Sequence, residues 1–248
     1  MKLTILGVNS PFPRDGRATL GYLVRQDETR LLLEAGCGIY RRLAEEGLLD
    51  SLDGIVLSHL HYDHCADLPA IVLGTTMGSR RSDPLPVFVP PGQGDRLRSW
   101  LDACGFSFVG DRMALAEPAW DMPTVLGRLR FTASPAKHGL PAAILTLEAD
   151  GHRLVYTGDT ADCDALRRAM TRADLVLSEV TGLSPQESSE KGHLPPVLLG
   201  ELARAAGIKE LVLTHFMHGY EAETLAAEVT AAFGRPARVA RVGEVFRV

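Results

Sequence analysis

The chain is short of cysteine, of aromatic residues, of long apolar runs and of charge of one sign, and each shortage removes a class of protein. Its four cysteines (Cys37, Cys65, Cys104 and Cys163) are scattered without a Cys-x-x-Cys pair, so neither a disulfide framework nor a structural zinc knot is expected. No apolar stretch reaches the length that spans a bilayer. The opening run from Met1 to Gly7 meets polar Asn9-Ser10 too soon for a secretory leader. A formal charge of −5 leaves no broad electrostatic footprint for nucleic acid or membrane. Arg80-Arg81 and the Arg96/Arg98 pair are the best candidates for a local basic patch, and both read more simply as a solvated loop and a helix face. There is no low-complexity tract and no linker rich in Pro, Gly or Ser. Residues 1–248 are therefore expected to form one domain, in a reducing cytoplasm.

What is present is an ordinary soluble composition, 46% hydrophobic and 23% charged, with strands and helices alternating in both halves. Apolar alternation predicts strands near 2–7, 19–25, 29–33 and 54–57, with helices over 39–47 and from Asp67 to about Met77. A proline-bracketed strand at 84–90, a helix near 93–103 and several short strands between 108 and 135 follow. In the second half, 142–149 and 152–157 form a hairpin around Asp150-Gly151. Helices at 162–171, 196–206 and 221–233 alternate with strands at 174–178 and 210–214, and two closing strands lie near 237–241 and 244–247. That alternation argues for sheets covered by helices.

The most informative feature is Ser58-His59-Leu60-His61-Tyr62-Asp63-His64. Three imidazoles and a carboxylate within six positions are ligands that suit zinc and its neighbours. On extended backbone His59 and His61 point to one side. A turn after them lets Asp63 and His64 face a second ion. Three more residues sit just past apolar strands, where loops can reach a common cleft: His138, Asp159 after Thr157-Gly158, and His215 after Leu211-Val212-Leu213-Thr214. Each has a plainer reading, Asp159 as a helix N-cap and the histidines as hydrogen-bonded strand ends. Their recurrence beside the histidine run favours ligation.

With these motifs the sequence resembles the metallo-β-lactamase fold hydrolases over nearly its whole length. The resemblance implies a single-domain α/β (α+β) fold, a four-layer αββα sandwich with two divalent ions at one edge, zinc first and manganese second. It implies His59, His61 and His138 on one ion, Asp63, His64 and His215 on the other, and Asp159 as the bridge. Hydrolysis is then expected through a hydroxide between the ions, made near neutral pH without a separate strong base.

Ser178-Glu179-Val180-Thr181, Gly192-His193-Leu194 and Leu213-Thr214-His215-Phe216 are similar to the tRNA 3′-processing endonucleases (RNase Z) and to small phosphodiesterases related to them. In that branch a residue placed like His193 acts on the leaving group, and Glu179 can orient its imidazole. His193, Glu179 and Asp63 are the catalytic candidates. The plainer reading of His193 is a cap or packing residue for the helix at 196–206. Three departures matter: Glu34 stands where the branch has aspartate, Pro195-Pro196 replaces a position usually held by threonine, and residues 139–158 leave no room for the long tRNA-binding arm. The expected substrate is therefore a small, cyclic phosphodiester, a small anionic ester, with tRNA disfavoured and no membrane partner. A homodimer is implied by the resemblance alone.

Competing readings are an RNase Z activity, a lactonase or thioesterase of the same fold, a diiron oxidoreductase and a non-catalytic binding module. A His193-like donor counts against the esterases, the want of a flavin partner or extra acidic ligands against the diiron enzyme, and the full ligand set against the binding module. Cys65 reads as packed, His152 as surface, Trp100 and Trp120 as core, and His218 and Tyr220 as equally suited to substrate contact or solvent.

Overall fold

The computed structural model describes residues 1–77 and 83–248. Arg80-Arg81 fall outside the described residues, whereas Arg98 lies exposed on its helix and pairs with Asp95 at 3.2 Å. Two seven-stranded sheets dominate. The first runs, in spatial order, Val245–Arg247, Lys2–Gly7, Gly21–Gln26, Thr29–Leu33, Gly54–Val56, Leu85–Phe88 and Met113–Ala116. The second runs Ala237–Val239, Glu210–Thr214, Leu175–Glu179, His152–Tyr156, Ala143–Ala149, Leu129–Pro135 and Pro123–Leu126.

The layers follow from the two-residue repeat of strands. Leu31 and Leu33 join Tyr22, Val24, Phe131 and Leu145 between the sheets, while Leu32 and Leu23 face the other way, with Ile55. That outer cluster is closed by Ile39, Leu43, Leu68, Ile71, Leu97 and Leu101, from helices Ile39–Glu45, Leu68–Met77 and Gly94–Ala103. The second sheet is covered in the same way by Asp164–Met170, Pro196–Ala206 and Ala222–Phe233. The result is the helix–sheet–sheet–helix sandwich. Each fully buried leucine in it contributes roughly 1.5–3 kcal/mol of transfer free energy.

What positions the site is strand direction. Thr29–Leu33, Gly54–Val56, Leu85–Phe88 and Met113–Ala116 are mutually parallel, as are His152–Tyr156, Leu175–Glu179, Glu210–Thr214 and Ala237–Val239. Their carboxyl ends release Glu34, the histidine run, Asp159, Glu179 and His215, as open α/β sheets do for ligand-binding loops. The hairpin at Asp150-Gly151 pairs Ala149 with His152, and both turn residues have positive φ (50° and 80°), as a type I′ turn requires.

Most expected elements are present with shifted ends: the helix at 39–47 stops at Glu45, the strand at 19–25 starts at Gly21, and the helix at 162–171 starts at Asp164. Helix Pro185–Lys191 was not expected, because its sequence is polar throughout. It is held by a reciprocal capping box between Ser184 and Glu187, with Pro185 in its first turn and left-handed Gly192 at its end. Among the described residues no helix is long and apolar enough to cross a membrane.

Candidate metal centre

The histidine run is split by a change of backbone. His59 and His61 lie on irregular chain after Gly54–Val56, and His61 is extended at φ −72° and ψ 153°. The single helical turn Tyr62–Cys65 then redirects the chain, and the His64 ring comes to lie 3.9 Å from that of His59, centroid to centroid. Gly158 takes φ +54°, and a Cβ there would meet the Ala143 carbonyl oxygen at 2.7 Å and the Ser58 Cβ at 3.0 Å. Glycine thus lets the Asp159 loop pass close to the Ala143 backbone and the Ser58 side chain. His215 itself has φ 61°, a left-handed conformation uncommon outside glycine and found at sites that the surroundings over-determine. The His138 loop is laced to the Asp159 loop, where Ala161 N–H donates to Lys137 O (2.8 Å) and Lys137 N–H to Thr160 Oγ1 (3.0 Å).

The side chains converge in overlapping groups. His59, His61, His138 and Asp159 form one, Asp63, His64 and His215 a second, and Asp159, His193 and His215 a third, each with ligand atoms within 4.8 Å of one another. In the first, His61 Nδ1 lies 2.9 Å from His59 Nε2 and 3.2 Å from His138 Nε2. In the second, His215 Nε2 is 3.6 Å and His64 Nε2 3.8 Å from Asp63 Oδ2. Asp159 reaches both, with Oδ2 at 3.8 Å from His59 Nε2 and 3.1 Å from His215 Nε2, and Oδ1 at 3.5 Å from His64 Nε2.

These residues fit a pair of divalent ions. Ligands about 2.0–2.1 Å from a tetrahedral zinc lie about 3.3 Å apart, the spacing found here. His64 Nε2 and Asp159 Oδ1 are buried without a hydrogen-bond partner, a costly state for polar atoms unless something else binds them.

The remote ring nitrogens are tied down. His59 Nδ1 lies 3.0 Å from Ser58 Oγ, His64 Nδ1 3.1 Å from Glu34 Oε1, and His138 Nδ1 donates to the Gly192 carbonyl at 3.0 Å. Each tether leaves Nε2 for the cleft, the orienting role that outer partners play around metals. Ser10 Oγ donates to Asp63 Oδ2 at 2.9 Å. The extra methylene of Glu34 is accommodated in place: the residue is fully buried, takes φ 62°, and accepts Ser58 N–H at 3.1 Å besides facing His64. Ser10, Ser58 and the Gly192 carbonyl carried no signal in the sequence, since they act only through tertiary contact.

Electrostatics separate the groups. Burial first, then the neighbouring His64, holds His59 well below the usual imidazole range. His61 and His138 are lowered too, burial again leading. His64 and His215 go the other way. Burial opposes their charge, but Asp159, with Glu34 for His64 and Glu179 for His215, outweighs it and raises both. Burial likewise opposes ionisation of Asp159, yet His215 and His64 hold its carboxyl well below the usual value. The second group collects positive charge, the electrostatic condition that a cation would also satisfy.

Beside these groups, His193 Nδ1 donates to Glu179 Oε2 at 2.9 Å, while Thr160 N–H donates to Glu179 Oε1 at 2.7 Å. Burial lowers the His193 pKa, but Glu179 more than offsets it and brings the imidazole up to about 9. The ring stacks on His215 with centroids 5.5 Å apart. His193 does not cap the following helix, whose N-cap is Pro195, and Asp159 does not cap Asp164–Met170, whose N-cap is Cys163. Cys65 is buried outside the ligand groups with its thiol pushed up to about 12 by burial. His152 is exposed at its turn, Trp100 and Trp120 are partly buried against the two cores, and His218 is exposed and meets Arg14.

Residues 16–216 match the family described as "Beta-lactamase superfamily domain". The chain is 27% identical to the probable metallo-hydrolase YhfI of Bacillus subtilis, over 99% of each chain. It is 30% identical to a ribonuclease Z of Pyrobaculum neutrophilum, over 96% of this chain and 94% of that one. The crystal structure of Bacillus subtilis YhfI, a metallo-beta-lactamase fold protein, superposes with a TM-score of 0.89 at 25% identity, covering 99% of both chains.

Proposed function

The chain belongs to the beta-lactamase superfamily, and from that premise we propose that this hydrolase is a dinuclear-metal phosphodiesterase acting on a small, cyclic phosphodiester. In this reading His59, His61 and His138 would hold one ion and Asp63, His64 and His215 the other, with Asp159, within reach of both groups, as the ligand they would share. Zinc is the first choice for this nitrogen-and-carboxylate set and manganese the second. Bound divalent ions supply Lewis-acid charge, which activates an attacking water and offsets charge on the phosphoryl oxygens.

The observation that carries the phosphodiester reading is the Glu179–His193 pair at the rim of the ligand groups. Both Glu179 oxygens accept hydrogen bonds, one from His193 and one from the Thr160 backbone. Glu179 fixes Nδ1 of the ring and favours its charged form, leaving Nε2–H for the departing alkoxide. An alkoxide leaving phosphorus benefits from such a donor, whereas the less basic thiolate that leaves a thioester gains less from it. Asp63 is assigned to the ligand shell, steadied by Ser10, with no separate proton-transfer role.

His193→Ala should retain its metals and lose on the order of a hundredfold to ten-thousandfold in turnover on an alkyl phosphodiester. The loss should be much smaller with a nitrophenolate leaving group, which departs unprotonated. Elemental analysis and steady-state rates on both substrates check this. Equal loss on both would remove His193 as the acid, and loss of metal would move it into the ligand shell.

Ribonuclease Z activity is the second reading, favoured by the relative of that name. Against it, the segment between His138 and Asp159 is taken up by the hairpin of Ala143–Ala149 and His152–Tyr156. No arm for a tRNA is built there. Efficient, specific trimming of a tRNA precursor at fixed salt would promote this reading.

A further inference from the structure

The loop that precedes the second strand of the first sheet is built as a platform over one side of the cleft. Arg14 and Arg17 exchange both backbone hydrogen bonds around Asp15 (φ 52°) and Gly16 (φ 71°), a type I′ turn. The Asn9 amide donates to the carbonyls of Arg14 (3.2 Å) and Arg17 (3.1 Å), pinning the turn from beneath. Asn9 and Ser10 pair in parallel with Phe216 and Met217, directly after His215, and Ser10 is the residue that donates to Asp63. The platform is therefore anchored at two residues of the second ligand group.

On this platform Phe12 stands half exposed. Its ring lies 6.1 Å from that of His218 at 45°, and the Arg14 guanidinium reaches His218 Nδ1 at 3.2 Å. A single exposed phenylalanine is unremarkable in a soluble protein. This one stands between Ser10, which donates to Asp63, and the pinned Arg14–Arg17 turn, with its ring against a second ring. Arg14 and His218 line a cavity of about 440 Å³, whose wall also carries Arg17 and Arg241 beside Asp15, Glu221 and Glu223. The charges balance, so the cavity gives little attraction to a polyanion, yet it offers many donors and acceptors. Tyr62, the exposed aromatic on the His61 side, borders only 230 Å³ of mainly apolar space, less than a typical ligand pocket of roughly 300–1,000 Å³.

We propose that Phe12, His218 and Arg14 form a recognition lip that stacks the heteroaromatic base of a mononucleotide-type phosphodiester while its phosphate lies at the Asp63/His64/His215 end of the cleft. The proposal rests on the phosphodiesterase reading and names the substrate class of the same site. Phe12 supplies the π-face, and Arg14 positions the His218 ring and offers donors to the edge of the base. Stacking of this kind tolerates more than one base.

The test compares 3′,5′-cyclic adenosine monophosphate with trimethylene phosphate, which has the same six-membered cyclic phosphate and no base. The ratio of their kcat/KM values should fall about tenfold in Phe12→Ala. It should recover in Phe12→Tyr, and Arg14→Ala should show a smaller fall. Calorimetric binding of adenosine, which carries no phosphate, should weaken by a similar factor in Phe12→Ala. If trimethylene phosphate is hydrolysed but neither the ratio nor adenosine binding responds to Phe12, the lip is wrong and the phosphodiesterase reading stands. If no phosphodiester is hydrolysed, that reading fails, and adenosine binding alone decides the lip. A response to Tyr62→Ala in place of Phe12→Ala would place the base on the opposite side and overturn the proposal.

Discussion

The two ligand groups are built from the same residue types and differ in what surrounds them. His59, His61 and His138 face one another with Asp159 as their nearby carboxylate, and all three are biased toward the neutral ring that a metal needs. His64 and His215 sit among Asp63, Asp159 and either Glu34 or Glu179, and these carboxylates favour protonated rings. The first group favours neutral rings, and binding of a cation at the second would have to displace protons. The difference comes first from Asp159, which lies closer to His215 (3.1 Å) and His64 (3.5 Å) than to His59 (3.8 Å), and then from Glu34 and Glu179.

Asp159 is the point where the comparison can be broken outright. As the carboxylate shared between the groups, its replacement in Asp159→Ala should remove both ions and lower turnover by more than about a hundredfold. Elemental analysis of the purified variant checks this, and full retention of one ion would show that the carboxylate serves a single group.

Glu34→Gln sharpens the comparison, because Glu34 touches His64 and none of the first group. It should weaken one ion by about ten- to a hundredfold and leave the other nearly unchanged, as losses of outer partners do. Competitive titration with a chelator of known affinity would resolve the two constants. Equal weakening of both ions would mean that the sites are mechanically one.

The smallest effect is on pH. Protons on His64 and His215 compete with the ion, and their values are raised, so affinity of the second group should climb as pH rises through and above the ordinary imidazole range. The climb should be about tenfold per pH unit for each proton displaced. The first group should be flat there, because its rings are already neutral. Zinc titrations in two buffers of different ionisation enthalpy would show proton release with one ion and little with the other.

How much of this could be read from the sequence follows the range of each interaction. The strands ending at Leu33, Val56, Tyr156 and Thr214 announced themselves as apolar runs, and the residues just after them were visible as candidates. His59, His61, Asp63 and His64 are local in sequence, so their pattern survived without a structure. The contacts that tune them are not local. Glu34 meets His64, and Ser10 meets Asp63, only because the sheet order brings those loops together. Gly192 meets His138 where two loops of the second sheet, 54 residues apart in the chain, come together. Helix Pro185–Lys191 was missed because it has no apolar stripe, although Ser184 and Glu187 stand at the spacing of a capping box.

The first two ligand groups each draw from both halves of the sandwich. His59 and His61 leave the first sheet, while His138 and Asp159 leave the second; Asp63 and His64 leave the first, His215 the second. Whatever binds there acts as a clasp across the seam between the sheets, and a half-assembled chain has no complete clasp. Occupancy at a hundred times the dissociation constant would add about 2.7 kcal/mol per ion to the closed state. Chelation should therefore lower the melting temperature and loosen backbone amides along the seam ahead of those on the outer helices, which hydrogen exchange with and without chelator would detect.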